Sequence, residues 1–280
     1  MSSPDIPISE LPEPLLAQIT AVLHSFSTAL IKIFRNARGR EEGNLIGSGT
    51  FVSVGNIYGV LTAHHVTELL ERNDLLGLIL VPEEHRNVIP VEHISIVKIA
   101  RGPVEAEGPD LSFIVLPSVK VSEVKHYKQF FNVSRYRDDM LNNPPEHHQG
   151  VWFVCGMSNE MTIEETSAQG TGRVKSLAGL CGAGGANREY VSGDFDYIEV
   201  DVEYHNCTEL PQTFGGVSGG GLWQVPVRIA ADERLEPADY ILSGTAFYQS
   251  ELRDRKRFIK CHGRRSIYKN FHDRVVETCS

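Results

Sequence analysis

Three segments of the chain hold side chains suited to acyl transfer. Residues 61–66 contain the adjacent pair His64 and His65, Asp110 opens an apolar run ending at Leu116, and Ser218 lies among Gly215, Gly216, Gly219, Gly220 and Gly221. Acyl transfer needs a nucleophile, a base within hydrogen-bond reach, and a buried carboxylate that fixes the tautomer of the base. It also needs two N–H donors for the oxygen that becomes negative. Ser218 supplies the hydroxyl, His65 the base and Asp110 the carboxylate. Glycine lacks the Cβ that blocks positive φ, so the loop can turn tightly and present consecutive amides. The amides of Gly216 and Ser218 are the donors expected to form an oxyanion hole. Each feature has a plainer reading: Gly-Ser-Gly stretches are common surface turns, and Asp after Gly108-Pro109 is an ordinary turn residue.

These residues need rigid elements to hold them. Leu15, Leu16, Ile19, Val22 and Leu23 recur at helical spacing behind Pro12 and Pro14, which predicts a helix over 11–24 after a loose tail at 1–10. Strand-like runs follow at Phe26–Phe34, Gly49–Val54, Tyr58–Ala63, Gly77–Val81, Val91–Ala100 and Phe113–Leu116. A polar connector at 118–150 separates them from a second series at Val151–Cys155, Gly172–Leu177, Tyr197–Tyr204, Leu222–Val227, Tyr240–Tyr248 and Arg257–Cys261. Ile267, Tyr268, Phe271 and Val275 predict a last helix over 265–277. No period of 20–50 residues is present, which excludes solenoids and propellers. The expected class is all-β, in two strand-rich halves bracketed by short helices.

With its motifs in this order, the chain resembles the chymotrypsin-like (trypsin-like) serine peptidases, particularly their HtrA-like branch. The resemblance rests on Gly47–Val52, on Leu61–Val66, on Asp110–Leu116 and on Gly216–Gly220, and runs from about residue 25 to 275. It implies two six-stranded β-barrels with the site in the crevice between them. The expected division is a tail and helix at 1–24, a first barrel at 25–130 carrying His65 and Asp110, and a second at 131–280 carrying Ser218. Aligned on Thr62-Ala63, the resemblance makes His65 the base and turns His64 inward, since a one-residue shift along a strand-like segment reverses the face.

The same comparison points to the specificity pocket. The position six before the nucleophile is Gln212, followed by Thr213, so a basic P1 side chain would find no countercharge and a small or apolar one is expected. Phe247, Tyr248 and Gln249 replace the Ser-Trp-Gly of the pocket strand, which removes one hydrogen bond to the aspartate and narrows the pocket. No Ile-Val-Gly-Gly-like activation start is present, so any control falls to a partner, substrate or oligomerisation. The implied activity is an intracellular serine endopeptidase acting on protein or peptide substrates. The alternative is a latent, scaffold-like relative that an activating protein partner must switch on.

Composition narrows partners further. Lys and Arg total 27 against 36 Asp and Glu among 280 residues, a net charge of −9, which disfavours nucleic acid and anionic membranes. No apolar run reaches the roughly 18–20 residues of a membrane span, and 1–16 lacks the pattern of a secretory signal. Cys155, Cys181, Cys207, Cys261 and Cys279 show no CxxC spacing, which favours reduced thiols in the cytoplasm and no metal or organic cofactor. His147-His148 reads as a solvated loop, 179–185 as a flexible glycine-rich loop near the cleft, and 251–257 as a solvated face or hairpin tip. His65→Ala is expected to abolish turnover of a peptide ester while His64→Ala retains it. The reverse pattern in a steady-state assay would place the base at His64.

Overall fold

The computed structural model describes residues 11–35, 41–80, 85–166, 173–203 and 211–279. The tail at 1–10, together with Tyr204, His205 and Cys207, therefore lies outside the described residues.

Two antiparallel sheets make up most of the chain. The first contains β1 (Ser27–Arg35), β2 (Glu41–Val54), β3 (Ile57–Thr62), β4 (Leu75–Leu80), β5 (His85–Pro90), β6 (Ser95–Arg101), β7 (Asp110–Val115) and the short β8 (Phe131–Asn132). Its order is β5-β4-β1-β2-β3-β7-β6, with β8 added in parallel beside β2. The second contains β9 (Val151–Thr166), β10 (Arg173–Gly184), β11 (Ala186–Ser192), β12 (Phe195–Glu203), β13 (Gly221–Val225), β16 (Ile241–Gln249) and β17 (Lys256–His262), ordered β10-β9-β13-β16-β17-β12-β11. A small ribbon pairs β14 (Val227–Ile229) with β15 (Leu235–Pro237). Among the described residues no pairing joins the edge strands of either sheet. The β-rich class is as expected, while the strands number eight and seven rather than six and six.

Helices close the ends. α1 (Glu13–Ser25) buries Leu15, Ile19 and Leu23 at a spacing of four, with Pro14 in its first turn where no amide is needed. A π-helical stretch, Ser266–Phe271, continues into α5 (His272–Cys279). It buries Ile267, Tyr268, Phe271 and Val275 fully. Phe271 meets Phe113 of β7 edge-on at 5.2 Å, and Tyr268 Oη donates to the Leu242 carbonyl of β16 at 2.7 Å, so this segment packs against both sheets.

Several expectations need correction. The polar connector at 118–150 contains two helices, α3 (Ser118–Lys125) and α4 (Val133–Asn142). α4 starts where the Asn132 side chain accepts from the Arg135 amide, and it buries only Val133 and Met140, too few apolar positions to stand out. The run at 91–100 is broken by a 3-10 turn, Val91–His93, because Pro90 cannot continue the ladder of β5. Residues 179–184 are paired strand in β10, not a loop. β11 was hidden by its polar side chains, being exposed along most of its length. The run at 251–257 is, as expected, the exposed tip of the β16–β17 hairpin running into β17, with Asp254 and Arg255 at positive φ. His147 is less solvated than expected, stacking on Trp152 and bonding Glu189.

The main core lies where α1 meets both sheets. Phe26, at the end of α1, packs on Trp223 of β13 at 5.2 Å, and Phe131 of β8 meets the same indole at 5.4 Å. Leu23 is fully buried beside them. Truncating it removes buried apolar surface and leaves a cavity that the three rings cannot fill. Leu23→Ala is expected to lower stability by about 2–5 kcal/mol, read as a lower urea midpoint with an unchanged slope.

Candidate active site

The loop of residues 211–220 leads into β13 and carries Ser218. Two tight turns shape it, closed by Val217 N–H to Phe214 C=O at 3.0 Å and Gly220 N–H to Val217 C=O at 2.8 Å. Gly216 and Gly219 take φ of +93° and +91°. A Cβ on Gly219 would lie 2.1 Å from the Ser48 carbonyl oxygen, so only glycine fits there. The peptide planes are fixed by their carbonyls. Gly215 C=O accepts from Asn159 N–H at 2.8 Å, and Val217 C=O is held by Gly220. Because a trans peptide points its N–H opposite to its C=O, the amides of Gly216 and Ser218 are turned away from those partners. Neither makes a protein hydrogen bond among the described residues.

The first sheet grips this loop through Ser48 of β2. Ser48 N–H donates to Ser218 C=O at 2.8 Å, and its Oγ donates to Gly216 C=O at 2.7 Å while accepting from Met157 N–H at 2.7 Å. Thr62 Oγ1 donates to the Ser48 carbonyl at 2.8 Å. A Cβ at Gly47 would meet Val66 at 2.6 Å and the Ser218 carbonyl oxygen at 3.0 Å, which explains the small residue there.

His65 is held by the other half of the site. The chain leaves β3 through an extended Ala63 and enters a short helix, α2 (His64–Glu68). The segment is thus helical rather than strand-like, and neighbouring side chains diverge by about 100° instead of reversing. His64 turns inward and is buried, its Nδ1 lying 3.5 Å from Glu68 Oε1 but without a hydrogen bond. His65 is one-fifth exposed, and its Nδ1 lies 2.6 Å from Asp110 Oδ2. Asp110 Oδ1 accepts from the His65 amide at 2.9 Å. An ionised carboxylate only accepts, so Nδ1 carries the proton and Nε2 is the basic atom of the ring.

Asp110, the first residue of β7, is fully buried. The hydrogen bond expected to be lost with the replaced serine has a substitute from the first sheet: Arg101 Nη1 donates to Asp110 Oδ2 at 2.8 Å. Burial alone would raise the Asp110 pKa. The hydrogen bonds and charge of His65, with the charge of Arg101, outweigh it and hold the carboxyl below its ordinary value. The Asp110 amide donates to Nε2 of the buried His262 of β17 at 3.0 Å. Burial pushes His262 down to about 4 against the opposing pull of Asp110, so the ring is neutral with its proton on Nδ1.

His65 and Ser218 line one cleft of about 370 Å³, with Ile46, Phe247 and Ile259 in its walls and Glu105 exposed beside it. The hydrogen bonds of the His65 side chain run to Asp110; among the described residues none joins the ring to Ser218 Oγ. Of the expected pocket residues, Phe247 and Tyr248 line the cleft, whereas Gln212 and Thr213 do not. Gln212 is exposed with its amide bound by Glu160, and Thr213 Oγ1 accepts from Gln249 Nε2 and Gly215 N–H. Gln249 lines the wall with its side chain locked, Oε1 accepting from the Phe214 amide and from Arg257. Arg101 and His262 escaped the sequence reading. Arg101 faces Asp110 across the β6–β7 hairpin, which the strand register would have paired. His262 is 152 residues from Asp110 and offered no local signal. Cys155 and Cys261 are buried, and burial raises the Cys261 thiol pKa well above its ordinary value.

No protein-family profile and no curated protein sequence matches the chain. Among solved structures it is similar to one from work on aromatic interactions in the coupled folding and binding of the intrinsically disordered Sesbania mosaic virus VPg protein. Identity is 13%, coverage is 89% of this chain and 96% of that one, and the TM-score is 0.42.

The buried His262 makes stability depend on pH. Below about 6.5 the unfolded chain binds a proton at this ring, while the folded chain resists until about 4. The stabilisation is therefore complete above 6.5 and is lost as pH falls toward 4, by on the order of 3 kcal/mol. Urea titrations across this range are expected to show the decline, and His262→Gln to flatten it.

Proposed function

We propose that the chain is a serine endopeptidase of the chymotrypsin-like type, its first barrel built on the sheet of β1–β8, which extends past the expected boundary at 130 to take in Phe131–Asn132, and its second on the sheet that begins at β9. The observation that carries this reading is the 2.6 Å His65–Asp110 pair opening on the cleft that also holds Ser218. In this mechanism His65 Nε2 takes the proton of Ser218 Oγ as the oxygen attacks the scissile carbonyl. The amides of Gly216 and Ser218 hold the resulting oxyanion. His65 then gives its proton to the leaving amine, an acyl-enzyme remains, and a water activated by His65 releases the acid and restores Ser218. The absence of a Ser218–His65 hydrogen bond does not count against this, because such bonds often tighten only when substrate binds.

No cofactor enters these steps, and the substrate is a protein or peptide. The walls of Ile46, Phe247 and Ile259 support a preference for apolar side chains. The buried free thiol of Cys261 fits a reducing compartment such as the cytoplasm. The latent reading calls for a loop carbonyl occupying the oxyanion position. The Gly215 carbonyl is instead bound by Asn159, which favours the active form.

A fluorophosphonate probe is expected to add its mass to the peptide carrying Ser218. Ser218→Ala should lose the label and, on a peptide ester, about 10⁴-fold or more in kcat. A wild type that is folded by circular dichroism but stays unlabelled would overturn the proposal.

A further inference from the structure

Asp110 does not face His65 alone. Its Oδ2, the oxygen 2.6 Å from His65 Nδ1, also accepts from Arg101 Nη1 at 2.8 Å. The two donors share one oxygen, so the guanidinium lies within a few ångströms of the imidazole. Arg101 is tied in turn to Glu68, whose Oε2 is 3.4 Å from Nε. Glu68 stands one turn beyond His65 on α2, half-exposed, and its other oxygen faces His64.

We propose that Arg101 is a positioning residue that aims the Asp110 carboxylate at His65 and, through its charge, sets the pH range in which His65 can act as a base. The inference rests on the acyl-transfer reading above. Arg101 reaches Asp110 directly across the hairpin, since the two residues are register partners in β6 and β7. A carboxylate oxygen that already serves a guanidinium has less negative charge to offer an imidazolium. Arg101 therefore opposes protonation of His65, and Glu68 moderates Arg101. The other charged or titratable groups around the pair are His64 on α2, Lys98 on β6 and Glu105 in the β6–β7 connection. From the second sheet, His262 faces the Asp110 backbone, and Lys260 donates to the carbonyls of Ala106 and Glu107 in that connection. Of these, only Arg101 bonds the carboxylate oxygen that His65 uses.

The test is the pH dependence of fluorophosphonate inactivation, which needs His65 unprotonated. Arg101→Gln is expected to move the acidic limb to higher pH by about half to one unit. Arg101→Lys, which keeps the charge, should leave it near the wild-type position, and Glu68→Gln should move it the opposite way. A parallel loss of rate at every pH, with the limb fixed, would mean that Arg101 only packs and would overturn the proposal. The second readout is the NMR titration midpoint of the His65 ring in Ser218→Ala protein, with and without Arg101→Gln. If the wild type is never labelled but the midpoint follows Arg101 and Glu68 as stated, acyl transfer fails and the charge coupling stands. If labelling is normal and neither limb nor midpoint moves, the charge coupling fails alone.

Discussion

Ser48 is buried where the two sheets meet, and its amide, hydroxyl and carbonyl are all engaged around the Ser218 loop. One sheet carries the imidazole and its carboxylate, and the other carries the hydroxyl. Their relative position is set by contacts that cross between the sheets. Ser48 supplies two of these crossings directly, to the carbonyls of Gly216 and Ser218, and a third through the Met157 amide. The His262–Asp110 bond crosses at the opposite side of the site. With both in place the cleft cannot widen without breaking buried hydrogen bonds, each costly to leave unmade.

Asp110 places the strictest electrostatic demand on the fold. A fully buried carboxylate is tolerated only if donors replace the water it has lost. Here one oxygen takes the His65 amide and the other takes His65 Nδ1 and Arg101. Behind the backbone of Asp110, the neutral His262 sits in an aromatic cage of Phe247, Tyr197 and Phe195 with ring distances of 4.7–5.7 Å. The cage keeps that ring uncharged, which suits it to accept from a peptide N–H. The side-chain donors to the aspartate, His65 and Arg101, come from the first half of the chain, while the aromatic Phe247 seals the second-sheet side.

The cleft wall follows from the same crowding. Gln249 spans between the Phe214 amide, Thr213 and Arg257, so it braces the loop rather than offering its amide freely to a ligand. Gln212 is exposed and does not line the cleft.

How much of this was legible in the sequence depended on range. The β-rich class, the two bracketing helices and most strands could be read, because each is written in the periodicity of neighbouring residues. The candidates His65, Asp110 and Ser218 could be named from the order of three short motifs, and the structure brings His65 and Ser218 to one cleft with Asp110 bonded to the ring. What failed to show was whatever depends on register or on packing between distant segments. α4 carries too thin an apolar stripe, and β11 is polar and leans on β12. Arg101 gains its partner only when the β6–β7 hairpin aligns, and His262 only when the second sheet is brought against the first. The sequence by itself determined which groups were available and the local turns that present them. Tertiary structure alone decided which carboxylate oxygen each donor shares, which histidine is buried neutral and which residues wall the cleft, because those depend on distances between atoms far apart along the chain.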